Sequence, residues 1–171
     1  MKILKGMKAM TNSRSKGCRG EVELAKELGH YGINAIRGQQ RYGSAATPDV
    51  IHNLPAVHFE VKWNERMAVG SKLLENALVQ AIEDCPPDKM ACVAWKKSRG
   101  RWHATFLFNV YPNRMVANLP PSEVPVTMDL EHFMYARGYP RGEESVYVSP
   151  KQDPNPQWLQ QMMAGTSTED S

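Results

Sequence analysis

The sequence predicts an α/β fold with its elements in the order α-β-β-β-α-β-β, and three observations point to it. Two segments, residues 19–30 and the stretch from Ser71 to Ile82, carry apolar side chains at helical spacing. Between them lie short strand-length segments, of which Val57 to Trp63 alternates most clearly. After the second helical segment come two apolar runs, Met90 to Trp95 and Trp102 to Phe108, joined by a basic turn.

In the first helix, Arg19 to His30, the stripe is Val22, Ala25 and Leu28, and Gly29 and Gly32 mark its end. Ile33 to Arg37 reads as a short strand. The polar, glycine-containing stretch Gly38 to Thr47 reads as a loop, which places Pro48-Asp49 at the head of a strand running from Asp49 to His52. A tight link at Asn53 to Pro55 leads into the Val57 to Trp63 strand. Ser71 caps the second helix, Leu73, Leu74, Ala77, Leu78, Ala81 and Ile82 give it a wide apolar face, and Pro86-Pro87 ends it. Farther on, Val126 to Ala136 predicts another helix and Ser145 to Val148 an edge strand. From Ser149 the prolines and the polar end predict a disordered tail, within which Gln157 to Met163 is the stretch that suits a short interaction helix, disorder being favoured. The expected organisation is a basic N-terminal arm (1–18), a core (19–110), an extension packed on it (111–148) and a tail (149–171).

A chain of 171 residues, 42% of them hydrophobic, suits one domain plus tails. The net charge of +3 is too small to argue for a polyanionic partner, but its distribution is uneven. Lys2, Lys5, Lys8, Arg14, Lys16 and Arg19 precede the first acid, Glu21, an arrangement that suits either contact with phosphates or a solvated terminus. The three cysteines lack Cys-x-x-Cys spacing and the five histidines lack ligand spacing, which argues against a disulfide framework and a zinc site. No apolar stretch suits a signal peptide or a membrane span, so a soluble, cytoplasmic protein is expected.

The chemistry concentrates around the Val57 to Trp63 strand. Alternation puts Val57, Phe59, Val61 and Trp63 on one face and His58, Glu60 and Lys62 on the other. With Asp49 ending a neighbouring strand, two carboxylates meet beside a lysine, a set that can hold a hard divalent cation and a water next to a phosphate. Each part alone is ordinary: Glu-x-Lys is usually a surface ion pair and Pro-Asp usually a turn. Glu21 lies on or beside the inward stripe of the first helix, where it is either a site acid or a first-turn carboxylate favoured by the helix dipole. Gln80 shares a face with apolar positions of the second helix. There it can orient a water or contact a phosphate, or it is simply a boundary residue. The order Glu21, Asp49, Glu60, Lys62, Gln80 is more specific than any member.

With Arg19-Gly20-Glu21 opening a helix, Arg37, Gly43-Ser44, Pro48-Asp49-Val50 and Phe59-Glu60-Val61-Lys62, the chain resembles the PD-(D/E)xK nuclease superfamily. Within it, the likeness is to archaeal-type and phage-encoded Holliday-junction resolvases. Ser13 to Lys62 carries most of the resemblance, and the Gln80-Ala81 helix with the two following strands extends it to about Phe106. The resemblance implies a restriction-endonuclease-like central mixed sheet flanked by helices. It implies Mg2+, with Mn2+ as a substitute, held by Asp49, Glu60 and the Val61 carbonyl, and Glu21 as a further ligand or supporting acid. Lys62 would position or help deprotonate the attacking water, and Ser44 would lie near the scissile phosphate. The implied activity is structure-selective endonucleolytic cleavage of branched or four-way-junction DNA in recombination or phage DNA processing, by a homodimer. Arg14, Lys16, Arg19, Arg37, Arg41 and the turn residues Lys96, Lys97, Arg99 and Arg101 are the candidate DNA-backbone contacts, although a solvated hairpin with Trp95 and Trp102 in the core explains that turn equally well. Alternatives are another nuclease of the superfamily, acting on duplex sites or ends, and a DNA-binding protein of the same fold that does not cleave.

Overall fold

The computed structural model describes residues 13–38, 48–110, 122–148 and 157–165. Ser44 and Arg41 lie outside them, as does most of the expected arm.

Helix α1 (Ser13–Gly29) starts earlier than the apolar stripe implies, so its first turns occupy positions expected in the arm. Strands β1 (Ala35–Arg37) and β2 (Val50–His52) form a two-stranded antiparallel ribbon with Ile36 opposite Ile51. Strand β3 (Val57–Trp63) has the bounds its alternation predicts. Helix α2 (Lys72–Glu83) is capped as expected, the Ser71 side chain accepting from the Leu74 N–H at 3.3 Å. Strands β4 (Met90–Lys96) and β5 (His103–Val110) follow. The main sheet is four-stranded, in the order β3-β4-β5-β6, with β3 parallel to β4 and the other neighbours antiparallel. The fold is therefore mixed α/β, with helices packed on both faces of a mixed sheet.

Three C-terminal expectations need correction. Residues 122–129, whose second half was expected to be helical, form strand β6 (Ser122–Asp129), and the helix α3 (Leu130–Ala136) begins only after it. Pro125 disfavours a helix interior, and Val124, Val126 and Met128 alternate onto the face they share with Phe108, Phe106 and Ala104 of β5. Ser145 to Val148 is not a strand. Instead this segment ties to the end of α1, with the Val146 N–H donating to the Gly29 carbonyl at 3.0 Å and the Gly142 N–H to that of His30 at 2.6 Å. Those contacts satisfy carbonyls that a helix end leaves without partners. Gln157 to Gly165, where disorder was favoured, is helix α4, in which Trp158, Leu159 and Met162 recur at helical spacing and are partly buried.

The core has two layers separated by the sheet. On one face, Leu24, Ala25 and Leu28 of α1 pack with Phe59, Val61, Cys92, Ala94 and Phe106, joined by Leu130, Phe133 and Met134 of α3. On the other, Leu74, Ala77, Leu78 and Ala81 of α2 cover Val93 and Trp95. His58, Glu60 and Lys62 point to this second side, so α2 closes over the polar face of β3. Among the described residues no helix is long and apolar enough to cross a membrane.

Candidate active site

The site is built where the head of β2 meets β3, the strand at the open edge of the main sheet. Gly38 permits the meeting. A β-carbon there would overlap the Pro48 carbonyl oxygen, and the Gly38 N–H donates to the Asp49 carbonyl at 2.8 Å. Only a residue without a side chain lets the Pro48-Asp49 backbone pass this close. Asp49 is thereby aimed at β3, and its Oδ2 accepts the Val61 N–H at 2.8 Å.

Glu60 lies on the opposite face of the strand from Val61 and is 5% exposed. Burial, and then the charge of Asp49, push its carboxyl above the usual range, while a hydrogen bond from Lys62 opposes the rise. The Lys62 ammonium bonds Glu60 Oε1 and also donates to Gln80 Oε1 at 3.0 Å. Gln80 thus holds the lysine beside the carboxylates. The sequence brings Asp49, Glu60, Lys62 and Gln80 together from a loop, a strand and a helix.

Glu21 is placed differently from the other expected acid ligands. Its Oε2 accepts from Arg37 Nε at 2.5 Å, joining α1 to β1 in a part-buried pair. The pair engages Arg37, a candidate DNA contact, in holding Glu21. Among the described residues, no three His, Cys, Asp or Glu side chains are arranged to hold a metal ion. The Asp49 and Glu60 pair with the Val61 carbonyl suits Mg2+, which commonly takes one or two carboxylates and keeps several waters. A buried carboxylate beside a second one is also a site where a divalent cation relieves repulsion.

One residue extends the site beyond its expected members. Asp84, four positions after Gln80 and hence on the same side of α2, adds negative charge near both Glu60 and His58. The i, i+4 spacing from Gln80 was the available signal for it. His58 shares the polar face of β3 and is 8% exposed. Burial, and then the positive charge of Lys89, hold its imidazole below its ordinary value.

The basic candidates separate into two groups. Lys96 is built into the fold, pairing with Glu23 at 2.9 Å and lying 5.1 Å and 5.3 Å from the ring centres of Trp63 and Trp102. Arg19 sits 5.3 Å over the Trp63 ring. Lys97, Arg99 and Arg101 are exposed on the β4–β5 turn, where Arg99 adopts φ 62° and Arg101 lies 3.8 Å from Asp129. Arg14 and Lys16 belong to the first turns of α1.

No family model matches the chain, and no curated protein or solved structure matches it either. Its chemistry must be read from its own geometry.

Proposed function

We propose that this chain is a magnesium-dependent, structure-selective DNA endonuclease of restriction-endonuclease-like architecture, with a four-way junction as its favoured substrate. The observation that carries the reading is the convergence of Asp49, Glu60, Lys62 and Gln80, with Asp49 held by the Val61 N–H at 2.8 Å and Lys62 held by Gln80 at 3.0 Å. Fixed carboxylates and a fixed ammonium at one spot suit hydrolysis of a phosphodiester, whose transition state gathers negative charge on oxygen.

Asp49, Glu60 and the Val61 carbonyl are the groups that would hold the ion. Bound there, magnesium supplies Lewis-acid stabilisation and acidifies a water. Lys62 offsets charge on the phosphate oxygens and positions the attacking water. Gln80 keeps the Lys62 ammonium in place, and the Arg37 and Glu21 pair ties α1 to β1 beside the site. Lys97, Arg99 and Arg101 hold the DNA backbone without reading sequence. A homodimer presents two such sites to the symmetric arms of a junction.

The test is incubation with a synthetic four-way junction and with a linear duplex of matching sequence, each with and without Mg2+. Metal-dependent cutting of the junction alone is expected. Equal cutting of both assigns a duplex nuclease instead, and cutting of neither overturns the enzymatic reading in favour of a DNA-binding role.

A further inference from the structure

Beside Lys62, between the first turns of α1 and the end of β3, runs an open groove of about 540 Å³ whose lining includes Gly17, Lys62, Trp63, Arg66 and Leu73. This volume falls in the range of ligand-binding clefts. Resting on the nuclease reading above, we propose that the groove carries the phosphodiester strand onward from the scissile phosphate, with Arg66 pairing with a phosphate outside the cleavage site and Gly17 leaving room for the strand.

Gly17 lies inside α1, where a glycine weakens the helix relative to alanine. Neither backbone nor packing calls for it. Its φ is not in the left-handed region, and an added β-carbon would meet only Glu21 Oε1, at an ordinary 3.8 Å. Gly29 of the same helix is different, because a β-carbon there would overlap the Ser145 hydroxyl. Gly17 leaves a bare stretch of helix on the groove wall, which suits the close approach of a ligand.

The charge and polarity of the remaining wall suit a nucleic-acid strand. Arg66 is exposed and has no acidic partner among the described residues, while its backbone N–H is fixed by Asn64 Oδ1 at 2.9 Å. The adjacent acid, Glu65, also lines the groove, with its Oε1 engaged by Ser98, accepting the Ser98 N–H at 2.9 Å and bonding the Ser98 hydroxyl. Two cations, Lys62 and Arg66, are thus spaced along an open track, with the partly exposed Leu73 on its rim. Cations for phosphates and an apolar rim for sugars or bases are the two elements that single-strand tracks combine.

The experiment measures binding of a fluorescein-labelled synthetic four-way junction by anisotropy, in EDTA, across a series of NaCl concentrations. Arg66→Ala should weaken binding severalfold and make the salt dependence shallower by about one counterion. Gly17→Gln, which fills the groove with an uncharged helix-forming side chain, should weaken binding about tenfold with an unchanged or higher melting temperature. Lys26→Gln, an equal loss of charge on the opposite face of α1, should bind like the parent protein. Wild-type affinity and salt slope in both groove variants, from a parent that binds the junction, overturn the groove alone. A parent protein that binds no DNA overturns the nuclease reading and the groove together.

Discussion

The Val61 N–H donates to Asp49 Oδ2 across 2.8 Å, so the acid at the head of β2 is held by the backbone of the strand that carries Glu60 and Lys62. The bond places a second carboxylate close enough to push Glu60 upward. It also leaves a direct chemical test, because an amide oxygen can replace the carboxylate as acceptor.

Asp49→Asn keeps an acceptor for the Val61 N–H and should fold with a melting temperature near that of the parent. The neutral side chain loses the charge that attracts a divalent ion, so magnesium affinity in titration calorimetry should fall by at least about a hundredfold. Cleavage should disappear with DNA binding retained. Persistent cleavage removes Asp49 from the mechanism.

Lys62 and Gln80 should separate in kinetics. Lys62→Met removes the ammonium and should lower single-turnover cleavage by on the order of 10²–10³. Gln80→Ala acts only through the position of Lys62 and should cost about tenfold, with metal affinity unchanged. Gln80→Glu retains an oxygen acceptor for Lys62 and should recover most of that loss. A Gln80→Ala enzyme of full activity shows that the 3.0 Å bond does not position the lysine.

His52 gives the fold a pH dependence. Burial, and then the positive Lys89 and His58, lower its imidazole from 6.5 to about 4, and its Nδ1 is buried with no hydrogen-bond partner among the described residues. The depressed value means that the unfolded chain binds a proton below pH 6.5 that the folded chain refuses until about pH 4. This contribution to stability is therefore fully present above the upper value and lost as pH falls through the window, by about 3 kcal/mol at most. His52→Phe keeps a ring where His52 meets Phe59 edge-on at 5.2 Å but cannot take the proton. Urea unfolding at pH 7 and pH 4.5 should show a smaller difference for the variant than for the parent, and an equal difference assigns the pH dependence to other groups.

Gly29→Ala should destabilise the protein although the same change normally strengthens a helix by about 1 kcal/mol. The new methyl would overlap the Ser145 hydroxyl and stand 2.8 Å from the Tyr147 nitrogen, in the segment that ties to the end of α1. A net loss of about 1–3 kcal/mol in urea unfolding is expected. A stabilised variant shows that the 145–147 segment yields without cost.

Much of this site was legible because its parts are local. Alternation along β3 places Glu60 and Lys62 on one face, and the serine three residues before Leu74 caps α2, which carries Gln80. The strand β6 was equally legible in principle through the alternation of Val124, Val126 and Met128, but the apolar helix that follows blurred its boundary. Asp84 is less legible, because a charged residue at a helix end is ordinary until its neighbours in space are known.

By itself the sequence determined which side chains share a strand face and which helix carries the amide. Those properties follow from backbone periodicity, which acts over a few residues. Only the tertiary structure decided that Gly38 lets Asp49 reach the Val61 N–H, that Glu21 turns to Arg37, and that β1 and β2 form a ribbon apart from the main sheet. These depend on groups distant in sequence competing for the same hydrogen-bond partners and the same buried space, and no local pattern records which of them wins.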